Sequence, residues 1–89
     1  GKFDVEFTGE SHALIISYKD QPGVIARITS LLATEDVNIA AMRVSREARH
    51  ATALAIIQLD QAASPELTAV LSRMSGIGSI ISLPPLAVS

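Results

Sequence analysis

Two runs decide how this chain folds: Tyr18-Lys19-Asp20-Gln21-Pro22-Gly23-Val24-Ile25-Ala26, and the later Val37-Asn38-Ile39-Ala40-Ala41-Met42. Leu14-Ile15-Ile16 leads in as a strand rich in β-branched residues. Asp20, Pro22 and Gly23 then turn the chain. Val24, Ile28, Leu31 and Leu32 recur at helical spacing, which predicts a helix from Gly23 to about Glu35. Pro22, just before it, can start such a helix, because its missing N–H has no intrahelical partner to lose. Gly23 admits close approach of a backbone or a ligand. The helix start presents free N–H groups and a positive dipole end, with the Asp20 carboxylate just outside it. An anion-binding end beside an acceptor for a cation suits a free amino acid, which carries both charges. The same residues also suit a plain turn in which Asp20 caps the helix.

Outward from this centre the periodicity alternates between strand and helix. Phe3, Val5 and Phe7 alternate with Asp4 and Glu6, a strand pattern broken at Gly9-Glu10-Ser11. His12 to Tyr18 is the first strand of the domain proper, with Leu14, Ile16 and Tyr18 inward and the Tyr18 hydroxyl beside the Asp20 turn. Asn38 to about Glu47 is the second strand. Ile39 and Ala41 are expected on one face, with Met42 and Val44 on the other. That switch implies either a bulge near Ala40-Ala41 or burial on both faces. Arg43, Arg46 and Arg49 read as solvated. Glu47 to His50 connects to the third strand, residues 51–60, through a turn longer than two residues, since it has no Asn-Gly or Asp-Gly. Ser64-Pro65 is an N-cap followed by proline. Leu67, Val70, Leu71 and Met74 make a second apolar stripe that ends before Gly76. Ile77 to Leu83 is the last strand, stopped by Pro84-Pro85.

The order is β-α-β-β-α-β. Short connections and right-handed crossovers make it an α+β, ferredoxin-like sandwich: two helices on one face of a four-stranded antiparallel sheet. Residues 1–11 are expected as an N-terminal extension or linker strand, 12–84 as the domain and 85–89 as a tail. The abrupt opening at Gly1-Lys2 is expected either of an engineered boundary or of a piece of a longer chain. Two helices cover one face only, so a homodimer is expected through faces rich in Ile, Ala and Val.

Composition removes several functions. The 89 residues suffice for one small domain. With 48% hydrophobic residues but only three aromatics, the core must be aliphatic. A net charge of −2 gives no footprint for nucleic acid. RNA-recognition sheets need stacked aromatics, and Tyr18 stands alone on the relevant strands. With no cysteine there is no disulfide, no thiolate metal site and no cysteine nucleophile. No run of 18 apolar residues spans a membrane, and a cytoplasmic location is compatible. A phosphatase-type cradle from the helix start, Arg27 and Asn38 would set Asp20 against the phosphate. His12 and His50 have no adjacent acid to suggest a relay. A non-catalytic module is left, either an amino-acid-binding one or a plain dimerisation domain.

Asp20-Gln21-Pro22-Gly23-Val24-Ile25-Ala26 with Val37-Asn38-Ile39 resembles the signature of the ACT domain, a regulatory amino-acid-binding module. The continuation to Met42-Arg43-Val44-Ser45-Arg46, and the lead-in Phe3-Asp4-Val5-Glu6-Phe7-Thr8-Gly9-Glu10, resemble more narrowly the C-terminal domain of the bacterial iron–sulfur L-serine dehydratase, on its β subunit or β portion. The resemblance covers nearly the whole chain. It implies that L-serine, or another small L-amino acid, binds between paired domains and modulates a separate catalytic domain or α subunit. The 4Fe-4S cluster would belong to that catalytic portion. It implies Asp20 for the ligand amine, the N–H groups of Gly23, Val24 and Ile25 as donors, and Asn38, followed by Ile39, reaching in from the neighbouring chain. Tyr18 stands where the serine-binding domain of phosphoglycerate dehydrogenase has a histidine. The alternatives are that phosphoglycerate dehydrogenase-type regulatory domain, or an ACT-like dimerisation domain without ligand.

Overall fold

Alternation in His12–Lys19 sends Leu14, Ile16 and Tyr18 to one face, and all three are buried in strand β1. The structure, a computed structural model, describes residues 12–47 and 51–84. After β1 come α1 (Val24–Thr34), β2 (Ile39–Glu47), β3 (Thr52–Leu59), α2 (Pro65–Ser72) and β4 (Ile77–Leu83). The sheet order is β2-β3-β1-β4, and all three pairings are antiparallel. This is the expected ferredoxin-like βαββαβ sandwich. The expected extension at 1–11, the tail at 85–89 and His50 lie outside the described residues. So does most of the β2–β3 connection, but residues 48–51 separate the two strands, longer than a two-residue turn.

The core is aliphatic, as composition required. Leu14 and Ile16 from β1, Ile57 and Leu59 from β3, Ile28 and Leu32 from α1, and Leu71 from α2 are almost wholly inaccessible. Truncating any of them to alanine costs about 2–5 kcal/mol, because lost transfer energy adds to a cavity. On α1 the expected stripe holds, with Val24, Ile28 and Leu32 buried and Leu31 and Ile25 packed at its margin. On α2 the stripe is narrower than expected. Leu67 and Leu71 are buried and Met74 is half-buried, but Val70 is exposed. Two turns of helix touch the sheet along one line, and Val70 lies to the side of it.

Local chemistry sets the helix ends. The Ser64 hydroxyl accepts a hydrogen bond from the Leu67 N–H at 3.0 Å, and Pro65 follows in the first turn, as expected. Pro22 corrects its expectation: α1 starts at Val24, and Gly23 precedes it with φ of +92°. A left-handed residue cannot continue a right-handed helix, so Pro22 falls in the turn. The far end of α1 reverses through Asp36, also left-handed at φ of 60°. The Asp36 N–H bonds the Ala33 carbonyl, and the Val37 N–H bonds the Leu32 carbonyl. That is a Schellman end, with buried Val37 on buried Leu32 as its apolar contact.

The β2 pattern resolves as a bulge. Ile39 pairs with Leu59 and Ala41 with Gln58, so Ala40 is the extra residue. Ile39 therefore shares the helix-side face with Met42 and Val44, whose partners are Ile57 and Ala55. The expectation that Ile39 and Ala41 share a face is corrected, because one inserted residue flips every later side chain. The face without helices carries Leu54, Ile81 and Leu83, all exposed, with Ile56 half-buried beside them. Among the described residues no helix is long and apolar enough to cross a membrane.

Candidate functional site

Three side chains line up across the sheet just below the β1–α1 turn. Tyr18 pairs with Ala53, and Ala53 pairs with Arg46. Directly opposed residues share a face, and neighbouring strands lie about 4.8 Å apart. Arg46 and Tyr18 thus flank Ala53, whose side chain is a single methyl. With so little bulk between them, the long Arg46 side chain reaches over β3 to the turn. Its Nε lies 3.1 Å from each carboxylate oxygen of Asp20.

The turn is anchored on both sides. The Asp20 N–H bonds the Ala51 carbonyl at 2.9 Å, and the Lys19 N–H bonds the Gly76 carbonyl at 2.7 Å. Arg27 donates to the Ser75 carbonyl at 2.8 Å, tying α1 to the turn before β4. A Cβ on Gly76 would stand 3.2 Å from the Val24 side chain, so only glycine fits this approach comfortably. The start of α1 is thereby held against the ends of β1 and β4.

Between these parts is a cleft of about 300 Å³, lined by Tyr18, Asp20, Gln21, Pro22, Gly23, Ile25 and Arg46. That is the lower end of the range for small-molecule sites. Tyr18 is 3% exposed, and among the described residues its hydroxyl is the buried side-chain polar atom without a hydrogen-bond partner. An unsatisfied buried hydroxyl costs about 1–3 kcal/mol. Burial pushes its pKa above the ordinary value of 10.0; the Asp20 charge adds to the rise and Arg46 opposes it. Both rim charges therefore act on the phenol.

The expected site residues are only partly brought together. Tyr18, Asp20, Gly23 and Ile25 line one cleft. Asp20 does not cap the helix, because no side chain caps α1; its carboxylate takes Arg46 instead. The Ile25 N–H lies in the first turn, which carries no capping side chain. The Val24 N–H is partly used, by a long 3.4 Å bond to the Gln21 carbonyl, and Val24 itself is buried in the core. Arg27 lines a different concavity, between the helices. His12 begins β1, at the opposite end from Asp20.

Asn38 and Ile39 lie at that same far end. Ile39 pairs with Leu59, and Leu59 pairs with His12. The Asn38 amide donates to Asp60 at 2.6 Å, and Ile39 is half-buried against the core. Within one chain neither reaches the cleft. Arg46 is exposed, as expected, but its contact with Asp20 has no counterpart in the sequence pattern. Arg46 follows Met42 and Val44 at strand period, and pairing through Ala53 places it on the face that carries Tyr18.

Among the described residues, no group of three His, Asp or Glu side chains is placed to hold a metal ion. The family model for the ACT domain matches residues 12–74. D-3-phosphoglycerate dehydrogenase of Bacillus subtilis is 30% identical over 84 residues, which is 92% of this chain and 16% of that protein. The enzyme of the same name from Mycobacterium tuberculosis is 41% identical over 59 residues, 66% of this chain and 11% of that protein. The chain thus spans about a sixth or less of these curated relatives. Among solved structures, the ACT domain from GTP pyrophosphokinase of Chlorobium tepidum superposes with a TM-score of 0.67 at 16% identity, covering 83% of this chain and 97% of that one. An unknown protein from Galdieria sulphuraria gives 0.71 at 16% identity, covering 90% of this chain and 47% of that one. These two show the fold. The curated relatives are phosphoglycerate dehydrogenases and lend no support to the narrower likeness to L-serine dehydratase. With the signature turn, the βαββαβ order and a family match over most of its length, the chain belongs to the ACT domain family.

Proposed function

We propose that this ACT domain is a regulatory module that binds a small L-amino acid, L-serine first, in the Tyr18–Asp20 cleft, and performs no catalysis itself. The observation that carries this is the Tyr18 hydroxyl, buried without a partner on a cleft that also bears Asp20 and Arg46. A phenol can donate to or accept from a ligand hydroxyl. Asp20 accepts from an ammonium, and the uncapped start of α1 offers N–H groups to an oxygen.

Two copies complete the site. Among the described residues β2 is an edge strand. Antiparallel pairing of β2 with its two-fold mate sets the start of one strand beside the end of the other. Asn38 of one copy then approaches the Arg46 end, and hence the cleft, of its partner. Side-by-side pairing of this kind joins two sheets into eight strands.

The parent enzyme best supported is of the phosphoglycerate dehydrogenase type, given the curated relatives. Its catalytic domain is the partner that the effector modulates, in the cytoplasm. The L-serine dehydratase reading, with a 4Fe-4S cluster on a separate catalytic portion, retains one favouring observation: the run Met42-Arg43-Val44-Ser45-Arg46. Both read L-serine as the effector. Regulation follows only if serine binds two states of the parent enzyme unequally.

Calorimetric titration of the 89-residue chain with L-serine, glycine, L-alanine and L-threonine tests the proposal. Saturable heat with L-serine supports it, together with an Asp20→Ala variant weakened about ten- to a hundred-fold, the loss of one charge-assisted hydrogen bond. No saturable binding of any of the four would leave the dimerisation-only alternative.

A further inference from the structure

We infer that Arg46 makes the cleft selective for zwitterions, given the amino-acid site proposed above: it surrenders Asp20 to the ligand's ammonium and takes the ligand's carboxylate in exchange. Arg46 meets Asp20 through Nε, 3.1 Å from both oxygens. A ligand ammonium that binds Asp20 competes for those same two oxygens. The contact is readily exchanged, because the Arg46 side chain is 67% exposed and exposed ion pairs hold weakly. Once displaced, the guanidinium stays within a few ångströms of the cleft, tethered on β2 across Ala53 from Tyr18. Its planar fork matches a carboxylate with two parallel N–H bonds.

The chemistry of exclusion follows. An amine without a carboxylate displaces Arg46 from Asp20 and gives the guanidinium only water in place of the carboxylate it loses. A carboxylate without an amine meets the Asp20 charge. Only a ligand with both groups adjacent restores both pairings. Selectivity built this way needs an unfavourable outcome for the wrong ligand as well as a good contact for the right one.

The test compares L-serine with ethanolamine, which is serine without its carboxylate, by calorimetry on the wild-type chain, Arg46→Gln and Arg46→Lys. Circular dichroism checks that each variant folds. For Arg46→Gln the expected result is L-serine weakened about two- to five-fold, the worth of an exposed ion pair, with ethanolamine unchanged or tighter. Arg46→Lys keeps the charge without the fork and should fall between; it carries the test if Arg46→Gln does not fold. Equal L-serine affinity in wild type and variants overturns the role of Arg46 while leaving the amino-acid site intact. Parallel weakening of both ligands also overturns it, as the mark of a merely structural residue. A wild-type chain that binds no small amino acid overturns the site and, with it, this role.

Discussion

Asp20 and Arg46 are far apart in the chain, yet the arginine Nε stands 3.1 Å from both oxygens of the aspartate. Antiparallel pairing through β3 brings the end of β2 level with the end of β1, and Ala53 between them leaves the path open. The cleft therefore has its charges opposed before any ligand ion enters, above a phenol hydroxyl with no partner of its own.

Tyr18→Phe should separate stability from binding. Removing a buried hydroxyl that has no partner should stabilise the fold by about 1 kcal/mol, or leave it unchanged, since the apolar ring remains. L-serine should bind about three- to ten-fold more weakly, the equivalent of one neutral hydrogen bond. Urea unfolding and calorimetry on the same preparation check both signs. A loss of stability with unchanged affinity would place the hydroxyl outside the site.

Stability should also fall in alkali because of this residue. The folded pKa of Tyr18 is raised above its ordinary 10.0 by burial first, then by Asp20. Above that value the unfolded chain releases the phenol proton while the folded chain retains it. The folded state then binds more protons, so the unfolding free energy falls as pH rises from about 10 through the folded pKa. Below that range the contribution is constant. Tyr18 is the only tyrosine, so phenolate absorbance reports it alone. The difference in alkaline stability between wild type and Tyr18→Phe should show the fall, and a flat difference would contradict it.

Mixed dimers test whether Asn38 works across the interface. Asn38 lies at the His12 end of the sheet and the cleft at the Lys19 end, so Asn38 can serve only a neighbour's cleft. Asp20→Ala and Asn38→Ala homodimers should each bind weakly at both sites. In a heterodimer of the two, one cleft combines both defects and the other has neither. Calorimetry on purified heterodimers should find one strong site per pair. Two strong sites, none, or a chain that sediments only as monomer at micromolar concentration would remove the shared site.

Asp36→Gly should stabilise the domain without touching the cleft. Asp36 holds a left-handed conformation at the end of α1, with φ of 60°, which glycine adopts without a Cβ penalty. The change also removes a carboxylate from the negative end of the helix dipole. A gain of about 0.5–1 kcal/mol remains after the greater freedom of glycine in the unfolded chain is deducted. Thermal unfolding measures it, and L-serine affinity should not move.

By itself the sequence determined the element order, the aliphatic core, the Ser64 cap and the family, because these depend on periodicity and on neighbours a few residues apart. Leu14, Ile16 and Tyr18 alternate, Val24, Ile28 and Leu32 recur, and Asp20-Gln21-Pro22-Gly23 can only turn. Tertiary structure alone decided the partner of Asp20, the face of Ile39 and the isolation of the Tyr18 hydroxyl. Each depends on strand register: the switch in the β2 pattern admits a bulge near Ala40-Ala41 or burial on both faces, and only pairing with β3 decides for the bulge. Arg46 is solvated as its sequence suggests, because charge and exposure along β2 are local properties. Its contact with Asp20 arises only when β3 carries Ala53 between β2 and β1.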